Sequence, residues 1–538
     1  MRTKSAKVTA AALIWAAICG PRGFAADPAA LPAEADVAQV QSALTAHRTT
    51  VSAVARHYLQ RINDIDVHGP ALHSIIQVNP DAEKLAAALD AASDRTGILF
   101  GVPIVLKDNI ETADGMLTTA GSLALVDSKP RQDAFIVRKL RASGALILAK
   151  TNLSEWANFR SSHSISGWSG IGGLVKNPYV LDRNACGSSS GSAVAVASSL
   201  AAAAIGTETN GSLVCPGSFN GIVSFKPTLG LVSRTHVVPI SHNQDTAGPM
   251  ARSVADAELI LEAMSGSDPA DAATAEADAK KSQLSGLSGT TLRGKRLGVV
   301  MPPPGALPSD TDLLLAGALA ALKAQGAEVI EISEAAAPPQ ASFSSGGDEG
   351  LVLKYDFKND LNAYLASLPA GPVRTLSDLI AFNAATPRET ALFGQNIFIE
   401  SDAKGDLSTP AYVHAHEELT RASKAALDDL MERYHLDALI GPTTQPAFRV
   451  DVVRANTSGG GEFTGLAAVA GYPHLTVPMG TVQGLPVGLS FVGAAWSDAR
   501  ILALGFAFEQ ATQARKPPQY LPSLETPATA GGALAPAH

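Results

Sequence analysis

Cysteine is scarce in this chain. Of three cysteines in 538 residues, Cys19 lies in an apolar run near the start, leaving Cys186 and Cys215. Two thiols are too few for a disulfide framework. One bridge between them is conceivable in an oxidising compartment, but a pair of small buried thiols is the favoured expectation. Charge is sparse as well, at 17% of residues against 46% hydrophobic. That balance excludes disorder as the dominant state and supplies an extensive core. Aromatics reach only 5%, so close backbone packing between small residues has to replace aromatic stacking. The net charge of −9 and the lack of a Lys/Arg stripe exclude nucleic acid as an expected partner. No apolar run approaches the roughly 20 residues of a membrane span. The Ala-rich stretch 193–206 is short and broken by Ser198 and Ser199.

The first residues have a different character. Arg2, Lys4 and Lys7 form a basic start, residues 8–19 are apolar, and Gly23 and Ala25 precede Ala26 as small residues suited to a cut. This pattern predicts a signal peptide over 1–25 and a mature protein, 26–538, that is periplasmic or secreted. A lipid anchor on Cys19 is disfavoured, because Ile18 stands where a small residue is expected.

Beyond that segment the chain alternates. Residues 37–92 carry helical apolar spacing. Gly101-Val-Pro-Ile-Val-Leu reads as a buried strand delivering Lys107-Asp-Asn, residues 135–143 as an amphipathic helix, and 145–149 as a second strand. Strand–helix alternation of this kind predicts an α/β core with covered sheet faces. Residues 265–294 read as a connector, 295–300 as a strand and 310–325 as a helix. Residues 338–409 have poor periodicity and read as a cap over a site. Core strands follow near Asp437, His474 and Gly488. With no repeat and no linker, one large domain with a core of about 36–513 is expected.

The most unusual stretch is Cys186-Gly-Ser-Ser-Ser-Gly-Ser-Ala, followed by small apolar residues and Gly206-Thr-Glu-Thr-Asn-Gly-Ser. Ser188 and Ser212 are 24 residues apart. A helix over about 191–200 rises about 15 Å, and a strand over about 202–206 returns about 16 Å. The two lengths nearly cancel, so both serines can meet at one sheet edge. A serine hydroxyl attacks a carbonyl poorly until a base takes its proton. A lysine serves as that base once burial disfavours its ammonium form, and Lys107 follows a run of mostly apolar residues.

These segments resemble the amidase signature family. Gly101-Val-Pro-Ile-Val-Leu-Lys-Asp-Asn is similar to its lysine motif, and the two Gly/Ser stretches are similar to its serine motifs at matching spacing. Phe225-Lys-Pro-Thr-Leu-Gly, Asp245-Thr-Ala-Gly-Pro-Met and Gly471-Tyr-Pro-His-Leu-Thr-Val-Pro-Met-Gly resemble further family segments. Within the family, Thr151-Asn-Leu-Ser-Glu-Trp-Ala-Asn-Phe-Arg and the exported start look most like bacterial peptide amidases, which remove the C-terminal amide of peptides. The resemblance implies a single-domain α/β/α fold with a mixed central sheet, no metal and no organic cofactor. It implies hydrolysis of a small-molecule or peptide amide through an acyl-enzyme. Ser212 would be the nucleophile, Ser188 a bridging serine after a cis peptide bond, and Lys107 the base. Backbone N–H groups of Thr209, Asn210, Gly211 and Ser212 would form the oxyanion hole.

Three positions depart from the common family pattern: Glu208 and Asn210 stand where Asp and Gly are usual, and Val214 where Arg is. Peptide amidases usually carry Asp at the position of Asn210. Rival readings are fewer. Gly187-Ser-Ser-Ser-Gly191 fits a nucleophile elbow with Ser189 as nucleophile, but a polar loop precedes it and a histidine such as His414 or His474 would be needed. Ser401-Asp-Ala-Lys404 has the Ser-x-x-Lys spacing without its partner motifs. His414 and His416 are two apart and read as a solvated helical face rather than a metal site. Trp156, Phe159 and Trp168 read as packing residues more readily than as a cleft lining. A catalytically silent amide-binding protein on the same scaffold is the alternative from another functional class.

Overall fold

The computed structural model describes residues 31–300 except 285 and 288, then 309–333, 348–455 except 370, and 464–525. The signal peptide expected over 1–25 lies outside the described residues.

Among the described residues, eleven strands form one mixed sheet: β1 Ile75–Val78, β2 Pro103–Lys107, β3 Leu146–Thr151, β6 Ala203–Glu208, β7 Val223–Lys226, β8 Thr246–Ala251, β9 Arg296–Val300, β10 Glu328–Ile332, β11 Ala438–Pro442, β12 His474–Val482 and β13 Leu485–Val492. Two short strands, β4 Trp168–Ser169 and β5 Gly173–Leu174, pair by themselves. The large sheet runs β1-β3-β2-β6-β8-β7-β12-β13-β11-β9-β10. This is the single-domain α/β fold with a mixed central sheet that the sequence predicts.

Strand β2 is parallel to both neighbours, β3 and β6. Parallel neighbours need a crossover, and the helix Phe135–Ala142 provides the one into β3. All three strands are buried along their whole length, as expected where helices cover both faces. Pro103 opens β2, a position where its missing N–H is tolerated.

The crossover into β6 is the helix Ser190–Ala197, made only of Ser, Gly, Ala and Val and buried at every residue. A helix apolar all round belongs in the interior. Gly191 is obligatory there: a Cβ would lie 2.3 Å from the Asn152 carbonyl oxygen and 2.4 Å from that of Ser74. The carboxyl ends of β2 and β6 therefore lie side by side, with the start of this buried helix next to them. Open α/β sheets bind ligands at such carboxyl ends.

Within 338–409, the described residues from 348 onward carry three α-helices despite their poor periodicity. These are Asp348–Ser367, Leu376–Ala385 and Asn396–Asp402. Asp348–Ser367 shows no single stripe because it buries Glu349, Lys354 and Asp356 together with Val352, Leu353 and Phe357. A second hydrophobic core joins these helices to Trp156, Phe159, Val238 and Ile240. Phe159 meets Phe357 edge-on, and Trp156 meets Phe398 likewise. Trp168 packs on Phe393. All three aromatics flagged in the sequence are thus packing residues.

Candidate active site

Lys107 is the last residue of β2 and is 0% exposed. Its Nζ lies 2.7 Å from Ser188 Oγ, 2.8 Å from Thr207 Oγ1 and 3.2 Å from the Thr207 carbonyl oxygen. The neighbouring Asp108 does not neutralise it. That carboxylate turns to Lys150, 3.6 Å away, and accepts from the Thr119 hydroxyl. Burial drives the Lys107 ammonium down to about 7, against the opposing pull of Asp245 and Glu208. Near neutrality the amine is therefore divided between its two protonation states. A neutral amine has two N–H donors and one lone pair. The Thr207 carbonyl must take one donor, so one of the two hydroxyls is free to donate to nitrogen.

Ser188 follows a cis peptide bond from Gly187 and is 0% exposed. Its carbonyl accepts from Ser154 N at 3.1 Å. A Cβ on Gly187 would lie 2.3 Å from Ser154 Oγ, so the loop admits no side chain there. Ser189 is engaged differently: its hydroxyl donates to the Thr207 carbonyl at 3.0 Å and accepts from Thr207 N at 3.2 Å. Ser189 N donates to the Ser212 carbonyl at 3.2 Å, which lays the two serine loops against each other.

The loop carrying Ser212 is shaped by Glu208 at the end of β6. Glu208 Oε2 accepts from Leu213 N at 2.6 Å and Val214 N at 3.1 Å, at the start of the short helix Val214–Phe219. Gly211 takes φ +78°, a conformation open to glycine. The N–H groups of Asn210, Gly211 and Ser212 meet no acceptor among the described residues. Side chains hold the loop from outside. Thr209 Oγ1 donates to Asp245 at 2.5 Å, and Asn210 Nδ2 donates to Glu349 at 2.9 Å. Burial raises Asp245 to about 6.

Cys186 and Cys215 form a disulfide, with Cα atoms 5.9 Å apart. This corrects the favoured expectation of two free thiols. The loop before Ser188 and the helix after Ser212 are neighbours in space, which puts the cysteines within bridging range.

A model of the family described as "Amidase" matches residues 53–502. The chain belongs to the amidase family. The peptide amidase of Stenotrophomonas maltophilia is similar in structure, with a TM-score of 0.83 and 46% identity over 90% of this chain and 99% of that one. An Arabidopsis thaliana protein named "Probable amidase" is 38% identical over 501 residues, covering 91% of this chain and 92% of its own length. A "Putative amidase" of Arthroderma benhamiae is 33% identical over 499 residues, covering 86% of this chain and 80% of its own length. This chain is thus an amidase-family hydrolase of amides.

In this amidase the structure brings together Lys107 and Ser188 directly, and the Ser212 loop through Ser189. Sequence reasoning passed over Thr207, whose hydroxyl contacts Lys107 and accepts from Asn109 Nδ2 at 3.0 Å. Both lie inside the quoted motifs, so their position was available as a signal. Glu349 was passed over too, and no local pattern marks it. Neither histidine considered for the elbow rival is in place: His474 is buried against Ser490 Oγ at 2.7 Å and pushed down to about 3, while His414 lies on the exposed face of the helix Pro410–Arg433. His416 stacks on Tyr412, and no cluster of three or more metal-ligating side chains occurs among the described residues.

Proposed function

We propose that the chain removes the C-terminal amide of peptides through a Ser–Ser–Lys triad. Ser212 Oγ attacks the amide carbon as its proton passes to Ser188 Oγ, and the Ser188 proton passes to the lone pair of Lys107 Nζ. The carbonyl oxygen becomes an oxyanion facing the N–H groups of Thr209, Asn210, Gly211 and Ser212. As the C–N bond breaks, the relay runs backwards and ammonia leaves with the returned proton. Water then enters by the same base route, cleaves the acyl-enzyme and frees the acid. A donor of this kind typically contributes about 2.7–4 kcal/mol to the barrier.

The observation that carries the reading is the 2.7 Å contact between a fully buried Lys107 amine and the Ser188 hydroxyl. The unpaired N–H groups of the 210–212 segment and the likeness to a peptide amidase support it. The mature protein is proposed to begin at Ala26 and to act outside the cytoplasm, where the disulfide between Cys186 and Cys215 is stable. Amino-terminal sequencing of the purified protein checks the cut.

Ammonia release from amidated peptides, compared with simple aryl and fatty amides, tests the substrate class. Wild type should act on the peptides, with Lys107→Ala and Ser212→Ala reduced to background. Equal release by all three proteins would replace the hydrolase with an amide-binding protein.

A further inference from the structure

Glu349 stands at the start of the helix Asp348–Ser367, 139 residues from the loop it touches. It is 4% exposed. Its Oε1 accepts from Asn210 Nδ2 at 2.9 Å and from Gln244 Nε2 at 3.0 Å. Gln244 Nε2 also reaches the Thr209 carbonyl at 3.3 Å, and Thr464 Oγ1 donates to Asn210 Oδ1 at 3.0 Å. Asn210 is therefore held at both ends of its amide, and the backbone beside it is held by Gln244. These contacts converge on the segment whose N–H groups remain open.

We propose that Glu349 is a positioning residue that fixes the oxyanion loop through the side chain of Asn210, and that this pair requires a donor on the loop and an acceptor on the cap. The proposal rests on the reading of residues 209–212 as the oxyanion hole. A carboxylate at position 210 would face the Glu349 carboxylate across 2.9 Å. Two carboxylates that close cannot both ionise. Burial already raises the Glu349 carboxyl above its ordinary range. The other charged groups around this cluster have their own partners. Asp245 takes Thr209 Oγ1 and two backbone N–H groups. Asp356 accepts from Ser241, Asn243 and Tyr412. His242 pairs with Asp360 at 2.8 Å, and Lys354 pairs with Glu400 at 2.6 Å.

The pair can be reversed chemically. In N210D the ratio of kcat to that of wild type should fall as pH rises from 6 to 9, because the shared proton is lost; taking the ratio cancels the titration of Lys107. Adding E349Q restores an N–H donor on the cap, and the double variant should return to within about threefold of wild type. E349A should lose about tenfold in kcat with KM little changed, the scale of one hydrogen bond. E349Q alone, which keeps the acceptor, should not. Hydrogen exchange of a peptide covering residues 209–213 reads loop order without turnover: E349A should accelerate it and E349Q should leave it unchanged. A flat N210D ratio, a double variant no better than N210D, or unchanged exchange in E349A overturns the pair. Failure of the hydrolase reading shows separately, as equal ammonia release by wild type and Ser212→Ala.

Discussion

Lys107 Nζ and Ser188 Oγ are 2.7 Å apart inside a sealed part of the protein, while the nearest carboxylate in sequence, Asp108, is engaged with Lys150. A lysine without a touching counter-ion gives up its proton early, and Lys107 does so at about 7. The rate of amide hydrolysis should therefore rise through about pH 7 and level off above it. A pH–rate profile checks this, and a limb centred near the ordinary lysine range would refute the assignment.

The same amine makes the fold pH-sensitive in a defined direction. Its native value lies below that of the unfolded chain, so between about 7 and 10.5 the unfolded state binds the extra proton. Stability from this group accordingly rises with pH across that window and is lowest below it. Lys107→Met removes the dependence. The difference in melting temperature, variant minus wild type, should shrink as pH rises from 7 to 10, as calorimetry can measure.

Ser189 differs from its neighbour in what it touches. Both sides of its hydroxyl are occupied by the Thr207 backbone. Ser189→Ala should keep activity within about tenfold of wild type, since a neutral hydrogen bond contributes about 1 kcal/mol. Ser188→Ala and Ser212→Ala should fall by several orders of magnitude. A dead Ser189→Ala with correct folding, seen in steady-state assays, would revive the elbow reading.

Glu208 holds Leu213 N and Val214 N on one oxygen. Glu208→Ala strands two buried donors, each costing about 1–3 kcal/mol, and releases the loop that carries Ser212. Activity should fall at least 100-fold, with a lower unfolding midpoint in urea. Glu208→Asp, which is shorter but still an acceptor, should retain more of both.

The Cys186–Cys215 bridge spans 29 residues and encloses both serines. Closing a loop of that size is worth about 3.6 kcal/mol. Reduction, or the double alanine variant, should lower unfolding free energy by that order and reduce turnover. Denaturant titration with a parallel thiol assay measures both, and an unchanged midpoint would count against the bridge.

Much of the centre was legible in the sequence because its parts are local. Strand, Gly/Ser loop, helix and return strand are consecutive, so lengths alone brought the serine motifs to one edge. The helix Ser190–Ala197 and β6 fall within a few residues of their predicted spans. What escaped was long-range. Glu349 meets Asn210 only because the helix Asp348–Ser367 docks there, and no spacing rule encodes a contact across 139 residues. That helix itself was hidden because burial on several sides, including polar side chains, erases the amphipathic stripe. The disulfide was left open, with free thiols favoured, because Cys186 and Cys215 become neighbours only after the serine loops meet.

Smallness is what secures the base of this centre. The helix Ser190–Ala197 is wedged among strands with no residue larger than valine, and Gly191 sits against two carbonyl oxygens. Added bulk would have to push the helix off the sheet, dragging Ser188 away from Lys107 as it went. Tailoring this scaffold to a new amide is therefore a matter of remodelling segments away from this helix, because the floor offers no spare volume in which a tolerated change could hide.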